Sequence, residues 1–88
     1  MLGKAKKALR VTHTALDEEI NDLIEAAKYD MKISGVVKQD EKDPLIIRAI
    51  ITYCKANFGY DNADSEKLKA SYESLKSHLS LCGEYNAL

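Results

Sequence analysis

Residues 43–62 read Asp-Pro-Leu-Ile-Ile-Arg-Ala-Ile-Ile-Thr-Tyr-Cys-Lys-Ala-Asn-Phe-Gly-Tyr-Asp-Asn. Asp43 suits the N-cap, where its carboxylate accepts from the orphan amides of a first helical turn. Pro44 suits the first helical position, where its missing N–H costs nothing, and Gly59 can adopt the left-handed conformation that closes the far end. The punctuation predicts a helix over about residues 44–58. Inside it Ile46, Ile47, Ala49, Ile50, Ile51, Tyr53, Cys54, Ala56 and Phe58 leave only Arg48, Thr52, Lys55 and Asn57 polar, too few for a helix resting one side on a core. This helix is therefore either central or covered by a partner chain. At roughly fifteen residues, and broken by charge, it is too short to span a bilayer.

Upstream of this segment, Leu16, Ile20, Leu23, Ile24, Ala27 and Met31 fall at i, i+4, i+7, i+8, i+11 and i+15, one stripe of a helix over about residues 15–33. Thr14 with Asp17 three residues later resembles the start of a capping box, and the acidic first turns suit the positive end of the helix dipole. Ser34-Gly35 ends that helix. Val36 and Val37 are expected to pack down as a lid before a charged loop leads to Asp43. Downstream, residues 60–64 form a turn in which Asn62, Asp64 and Ser65 are suitable caps. A fourth helix follows over about residues 65–81, with Leu68, Tyr72, Leu75, Leu79 and Cys82 on a near-heptad stripe and Gly83 as its stop. Residues 83–88 are left as a short tail. Residues 2–10 form a short helix, Leu2, Ala5 and Leu9 on one side and basic residues on the other, which must dock to persist. The fold class is all-α, a compact bundle of a short N-terminal helix plus three longer ones in one domain, residues 1–88. Its expected core comprises Leu16, Ile20, Leu23, Ile24, Ile47, Ile50, Ile51, Cys54, Phe58, Leu68, Tyr72, Leu75 and Leu79.

With 88 residues, only about 60–65% of the unfolded surface can be buried, and oligomerisation is a natural way to gain stability. A net charge of −1 gives no general attraction to nucleic acid or anionic membrane. That average hides a split. Residues 1–10 carry Lys4, Lys6, Lys7 and Arg10 and no acid, whereas residues 17–25 carry Asp17, Glu18, Glu19, Asp22 and Glu25 and no base. Such a split favours head-to-tail contact between copies as readily as it favours an outside ligand; on the first reading Lys4, Lys6, Lys7, Arg10, Asp17, Glu18 and Asp22 are candidate contacts between neighbouring subunits. Cys54 and Cys82 lie in helices without a Cys-x-x-Cys pair, which indicates reduced thiols in an intracellular setting. No apolar run follows the N-terminal lysines, so neither a secretory signal nor a transmembrane segment is expected, and synthesis is placed in the cytoplasm.

Chemistry-bearing patterns are few. His13, Cys54, His78 and Cys82 are four potential zinc ligands, but no paired knuckle spacing joins them and both cysteines sit on apolar stripes, where cysteine acts as a small core hydrophobe. A catalytic thiol needs an exposed, electropositive position that such a face does not supply. The carboxylates sit on solvated faces or caps, and there is no Gly-rich phosphate loop. No cofactor, metal site or catalytic residue is expected. The best nucleic-acid candidate is Lys4, Lys6, Lys7 and Arg10, which keeps a small helical DNA-binding regulator as the alternative reading. Four charges on a net-acidic domain are a weak electrostatic footprint for that role, and in the fourth helix Glu66 and Glu73 offset Lys67, Lys69 and Lys76. Tyr53 and Tyr72 fall on core stripes, Tyr60 and Tyr85 flank turns, and Tyr29 lies off the apolar face of the second helix. Tyrosines of this kind serve equally as rim-of-core residues and as interface residues.

The run Asp43-Pro44-Leu45-Ile46, then Ala49-Ile50-Ile51, then Lys55-Ala56-Asn57-Phe58-Gly59-Tyr60, followed by Ser65-Glu66-Lys67 and Ser71-Tyr72-Glu73-Ser74-Leu75-Lys76, resembles the head-tail connector (adaptor, head-completion) proteins of tailed bacteriophages and prophages. The resemblance covers essentially the whole chain, and the shared residues are structural. It implies a structural, non-enzymatic virion protein of the DNA-packaging and assembly apparatus, placed at the head-tail junction after a period in the host cytoplasm. It implies a ring of its own copies, of about twelve-fold symmetry where it sits on the portal. The implied partners are the portal protein, a further connector or tail-completion protein, and DNA passing through the channel without sequence-specific contact, with no membrane. Carried onto this chain, the resemblance makes residues 49–58 structural core, puts Lys55, Asn57 and Tyr60 at the exposed end of that helix, and makes the C-terminal end, with Tyr85 and Leu88, a candidate for docking to portal or tail. The chain departs from the pattern at Cys54 and Cys82 and in the brevity of the stretch after Tyr85.

Overall fold

The computed structural model describes residues 1–59 and 63–86. Five helices follow one another: α1 (Leu2–Leu9), α2 (Asp17–Ile33), α3 (Pro44–Asn57), α4 (Ser65–Ser80) and the one-turn α5 (Gly83–Asn86), with no strand among the described residues. The expected all-α bundle is what forms, with one additional short helix at its end.

Helix α3 is central. It packs against α1, α2 and α4, and Ile46, Ala49, Ile50, Thr52, Cys54 and Ala56 are buried over a wide arc of its circumference. The one polar member of that arc, Thr52, donates its hydroxyl to the Arg48 carbonyl at 2.7 Å, so its burial leaves no donor unpaired. Asp43 caps the start as its chemistry requires, Oδ1 accepting from the Leu45 amide at 2.8 Å with Pro44 next in the chain. Gly59 turns the chain away at φ +85°, a conformation that costs a residue with a Cβ.

The helices on either side run in one direction and α3 runs against both. Asp30 meets Tyr72, and five residues later Gly35 lies beside Ser80, which sets α2 and α4 parallel. Tyr53 packs edge-on against Tyr72, Ser65 donates its hydroxyl to the Ala56 carbonyl at 2.9 Å, and Asp43 receives Tyr85, which sets α3 and α4 antiparallel. The core they enclose contains Ile20, Ile24, Ala27, Met31, Val36, Ile46, Ala49, Ile50, Cys54, Tyr72 and Leu79, with Ala5 of α1 closing one side. Of the expected core, Ile20, Ile24, Ile50, Cys54, Tyr72 and Leu79 are buried. Leu16, Leu23, Ile47, Ile51, Phe58, Leu68 and Leu75 are half-buried at its edges. Val36 seals the α2 end with no exposed surface, and Gln39 pins the following loop by donating its side-chain amide to the carbonyls of Lys28 at 2.9 Å and Val36 at 2.7 Å.

Three local expectations give way to tertiary contacts. The capping box at Thr14 does not form: α2 begins at Asp17 with Leu16 at its N-cap and no side-chain cap, because the Asp17 carboxylate is drawn sideways to Lys6. Gly83 does not end α4. That helix closes at Leu81, and Gly83 opens α5. The stretch after it is not a loose tail up to Asn86, since α5 folds back and buries Tyr85.

Candidate interaction site

The residues with metal or nucleophile chemistry are dispersed. His13 and His78 are exposed on different elements, Cys54 is fully buried in α3, and Cys82 is half-buried after α4. Among the described residues no three His, Cys, Asp or Glu side chains gather around a common point. Burial pushes the Cys54 thiol up to about 11, so it stays protonated at neutral pH and behaves as a core hydrophobe.

The charged faces of α1 and α2 are adjacent and only partly consumed by each other. Lys6 Nζ lies 2.7 Å from Asp17 Oδ1, a buried oxygen with no directed hydrogen bond, so this contact is an ion pair inside the subunit. Lys4, Lys7 and Arg10 remain exposed on α1, and Glu18 and Asp22 remain exposed on α2. Arg10 closes α1 in the left-handed region at φ 60°, and its amide donates to the Lys7 carbonyl at 3.2 Å. At the far end of α3, Lys55 and Asn57 are exposed, and Asn57 donates its side-chain amide back to the Tyr53 carbonyl at 2.9 Å. Tyr60 and Leu88 lie outside the described residues.

Tyr85 is turned inward. Its ring is buried, its hydroxyl donates to Asp43 Oδ2 at 2.7 Å, and its carbonyl accepts from the amides of Val37 at 2.8 Å and Lys38 at 3.0 Å. The N-cap carboxylate of α3 therefore serves two partners, one oxygen for its own helix and one for α5. The Asp43 carboxylate, in accepting that bond, pushes the Tyr85 hydroxyl up to about 12. The hydroxyl and the Leu45 amide in turn hold the Asp43 carboxyl below the ordinary aspartate value. In this arrangement Tyr85 clamps the C-terminal turn onto the bundle.

A family model described as phage connector protein matches residues 1–86. The chain belongs to the phage connector family. No curated protein and no solved structure gives a significant match. The family is structural and not enzymatic, so this connector is a virion component with a role in phage assembly, and it interacts with other head or tail proteins. None of its described helices is long and apolar enough to cross a membrane.

Two further features of the connector leave only a faint signal in the sequence. The first is a polar junction between α2 and α4. Tyr72 donates its hydroxyl to Asp30 Oδ2 at 2.7 Å, Lys76 donates to the same oxygen at 2.9 Å and pairs with Glu73 at 2.8 Å, and its ammonium sits 5.3 Å from the centre of the Tyr72 ring. Burial works to raise the Asp30 carboxyl, but the Lys76 ammonium and the Tyr72 hydroxyl outweigh it and hold it below the ordinary value. The second is a set of large apolar side chains in solvent: Tyr29 at 65%, Ile33 at 68% and Leu81 at 85% exposed. The signal for them was available in the spacing, since all three fall off the stripes that define the core faces of α2 and α4.

Proposed function

We propose that this connector is a structural subunit of an oligomeric ring at the portal vertex, joining the DNA-filled head to the tail and continuing the DNA channel. The observation that carries the reading is the family match over residues 1–86. The physical features agree with an assembly role. Tyr29 and Ile33 stand in solvent one turn apart on α2, apolar surface that another protein could cover. Lys4, Lys7, Arg10, Glu18 and Asp22 are candidate contacts between neighbouring subunits, and Lys55 and Asn57 are candidate contacts to portal or tail. The channel DNA passes without sequence-specific readout, and assembly from the host cytoplasm onto the portal is the mechanism: each subunit offers two lateral surfaces to a heterologous ring and two axial surfaces to its neighbours above and below.

The test is the mass of the purified protein by light scattering, alone and mixed with the portal encoded nearby. Ring-sized species, or a monomer recruited stoichiometrically by the portal, is the expected result. A chain that ignores the portal and instead binds duplex DNA, with binding lost when the α1 cations are neutralised, would replace this reading with the regulator.

A further inference from the structure

The outward pole of α2 is a continuous stripe of its own. Glu18, Asp22, Glu25, Tyr29 and Ile33 recur at i, i+4, i+7, i+11 and i+15, opposite Ile20, Ile24, Ala27 and Met31, and all five are exposed. The stripe is graded, anionic over its first two turns and apolar over its last. Two large apolar residues at 65% and 68% exposure on one face mark this as a helix face without a partner inside the subunit. The outward pole of α1 carries the complementary charge. Lys4, Lys7 and Arg10 are exposed there, while Ala5 is buried and Leu2 and Leu9 pack on the core.

None of these three cations, nor Glu18, Asp22 or Glu25, has an ion-pair partner among the described residues. The one cation of α1 that does find a partner, Lys6, finds it in the first turn of α2 at 2.7 Å, so an α1 cation against an α2 carboxylate is a contact this chain already makes. The lengths also agree. At the helical rise, Lys4 to Arg10 spans roughly 9 Å and Glu18 to Glu25 roughly 10.5 Å.

We infer that the outward face of α2 is the seat for the outward face of α1 from a second copy of this chain, with Lys4, Lys7 and Arg10 of one subunit against Glu25, Asp22 and Glu18 of the next. The antiparallel order opposes the two helix dipoles and sets each cation of α1 against a carboxylate of α2, neutralising the charged end of the stripe. In the ring reading the contact is heterologous, α1 of one subunit on α2 of the next, and copies add head to tail until the rotation closes. The inference rests on the ring reading and assigns its lateral contact.

Two triple variants test it, Lys4→Glu with Lys7→Glu and Arg10→Glu, and Glu18→Lys with Asp22→Lys and Glu25→Lys. All six positions are exposed, so circular dichroism should match the parent, with melting lowered only modestly by the charges reversed at the helix ends. Self-association is read by light scattering at low salt, alone and on the portal. Each variant by itself should assemble about a hundredfold more weakly, because three attractive pairs become three repulsive ones. An equimolar mixture of the two should recover assembly, since subunits alternating around a ring again set acid against base at every contact. If either variant folds poorly, the parent supplies the second measurement: raising salt from about 50 to about 500 mM should weaken assembly at least about tenfold.

Failure of the mixture to recover, assembly of either single variant at parental strength, or salt-insensitive assembly of the parent would overturn this contact while leaving the ring reading intact. Loss of portal recruitment by the acidic-side variant alone, with self-association unchanged, would reassign the α2 face to the portal and also overturn it. A parent that stays monomeric both alone and with the portal would remove the ring reading itself, and this contact with it.

Discussion

Tyr72 and Tyr85 make the same hydrogen bond in two different settings. Each hydroxyl donates at 2.7 Å to a carboxylate 42 residues earlier in the chain, Tyr72 to Asp30 in the middle of the bundle and Tyr85 to Asp43 at its end. The supports differ. Asp30 is neutralised by a cation, Lys76, and its tyrosine ring is 4% exposed and packed edge-on against Tyr53 at 5.1 Å, between two long helices. Asp43 pairs with no cation among the described residues and instead accepts from a backbone amide of the helix it caps, and its tyrosine anchors only the four residues of α5. A hydrogen bond of fixed length thus joins two halves of the fold in one place and pins a terminal turn in the other. What it contributes is set by the apolar surface that depends on it, not by its own geometry.

The sharpest way to break the comparison is to remove both rings. Tyr72→Ala takes a buried aromatic from the α2–α3–α4 junction and should lower the unfolding free energy by about 3–5 kcal/mol, measured by urea titration. Tyr85→Ala should cost much less globally and leave a cooperative transition. Its mark should be fast hydrogen exchange at the Val37 and Lys38 amides, which lose the Tyr85 carbonyl as acceptor. Equal losses of global stability in the two variants would show that α5 belongs to the cooperative core.

Removing the hydroxyls alone sharpens the contrast. Tyr72→Phe strips one donor from Asp30, which keeps Lys76. With the Asp30 side chain 40% exposed, water can replace the lost partner, so the expected cost is about 1 kcal/mol. Tyr85→Phe leaves Asp43 its Leu45 amide and its cap. The expected readout is again exchange at Val37 and Lys38, with little change in global melting.

These contacts also show what a linear reading reaches. The Asp43-Pro44 start, the left-handed Gly59 and the breadth of apolar residues on α3 are local signals, and each corresponds to a feature of the fold, because capping and periodicity act within one or two turns. The Asp30 and Asp43 contacts pair residues 42 apart, and no spacing rule connects them. For the same reason the local pattern places Asp17 in a cap, whereas Lys6, on a different helix, holds it. Glycine commonly follows a helix, so Gly83 has the local signature of a stop, yet here it opens the turn that Tyr85 docks. The charge split between α1 and α2 was legible in composition. Which of those charges remain free for another molecule was not, since that depends on how the two helices face each other. Tyr29 was already placed off the apolar face, but its alignment with Ile33 and the acidic stripe emerges only once the core side of α2 is known.

The pH dependence separates the two sites more finely. Tyr85 carries a folded value raised to about 12, above the roughly 10 of an unfolded tyrosine, so its contribution is complete below about pH 10 and is lost as pH rises from there towards 12. Alkaline titration followed by tyrosinate absorbance should lose one of its late ionisations in Tyr85→Phe, while Tyr72, which burial and the Asp30 carboxylate also push up, keeps its own.

At the acid end both aspartates act in the opposite sense. The folded carboxyls of Asp30 and Asp43 sit below the unfolded value of about 3.9, so their contributions are complete above that value and are lost as pH falls through the lower folded ones. Melting temperature should therefore be flat above about pH 5 and fall below about pH 4. Asp30→Asn should flatten part of that fall. The group is substantially exposed and its desolvation opposes the gain from Lys76 and Tyr72, so the flattening should amount to only about 0.5 kcal/mol. Asp43→Asn keeps a good N-cap residue and should flatten the acid limb while leaving neutral-pH stability near the parent. If Asp30→Asn instead destabilises strongly at neutral pH, the Lys76 ammonium depends on that carboxylate more than on Glu73, and the middle junction works as one buried charge network instead of a hydroxyl bond beside a surface ion pair.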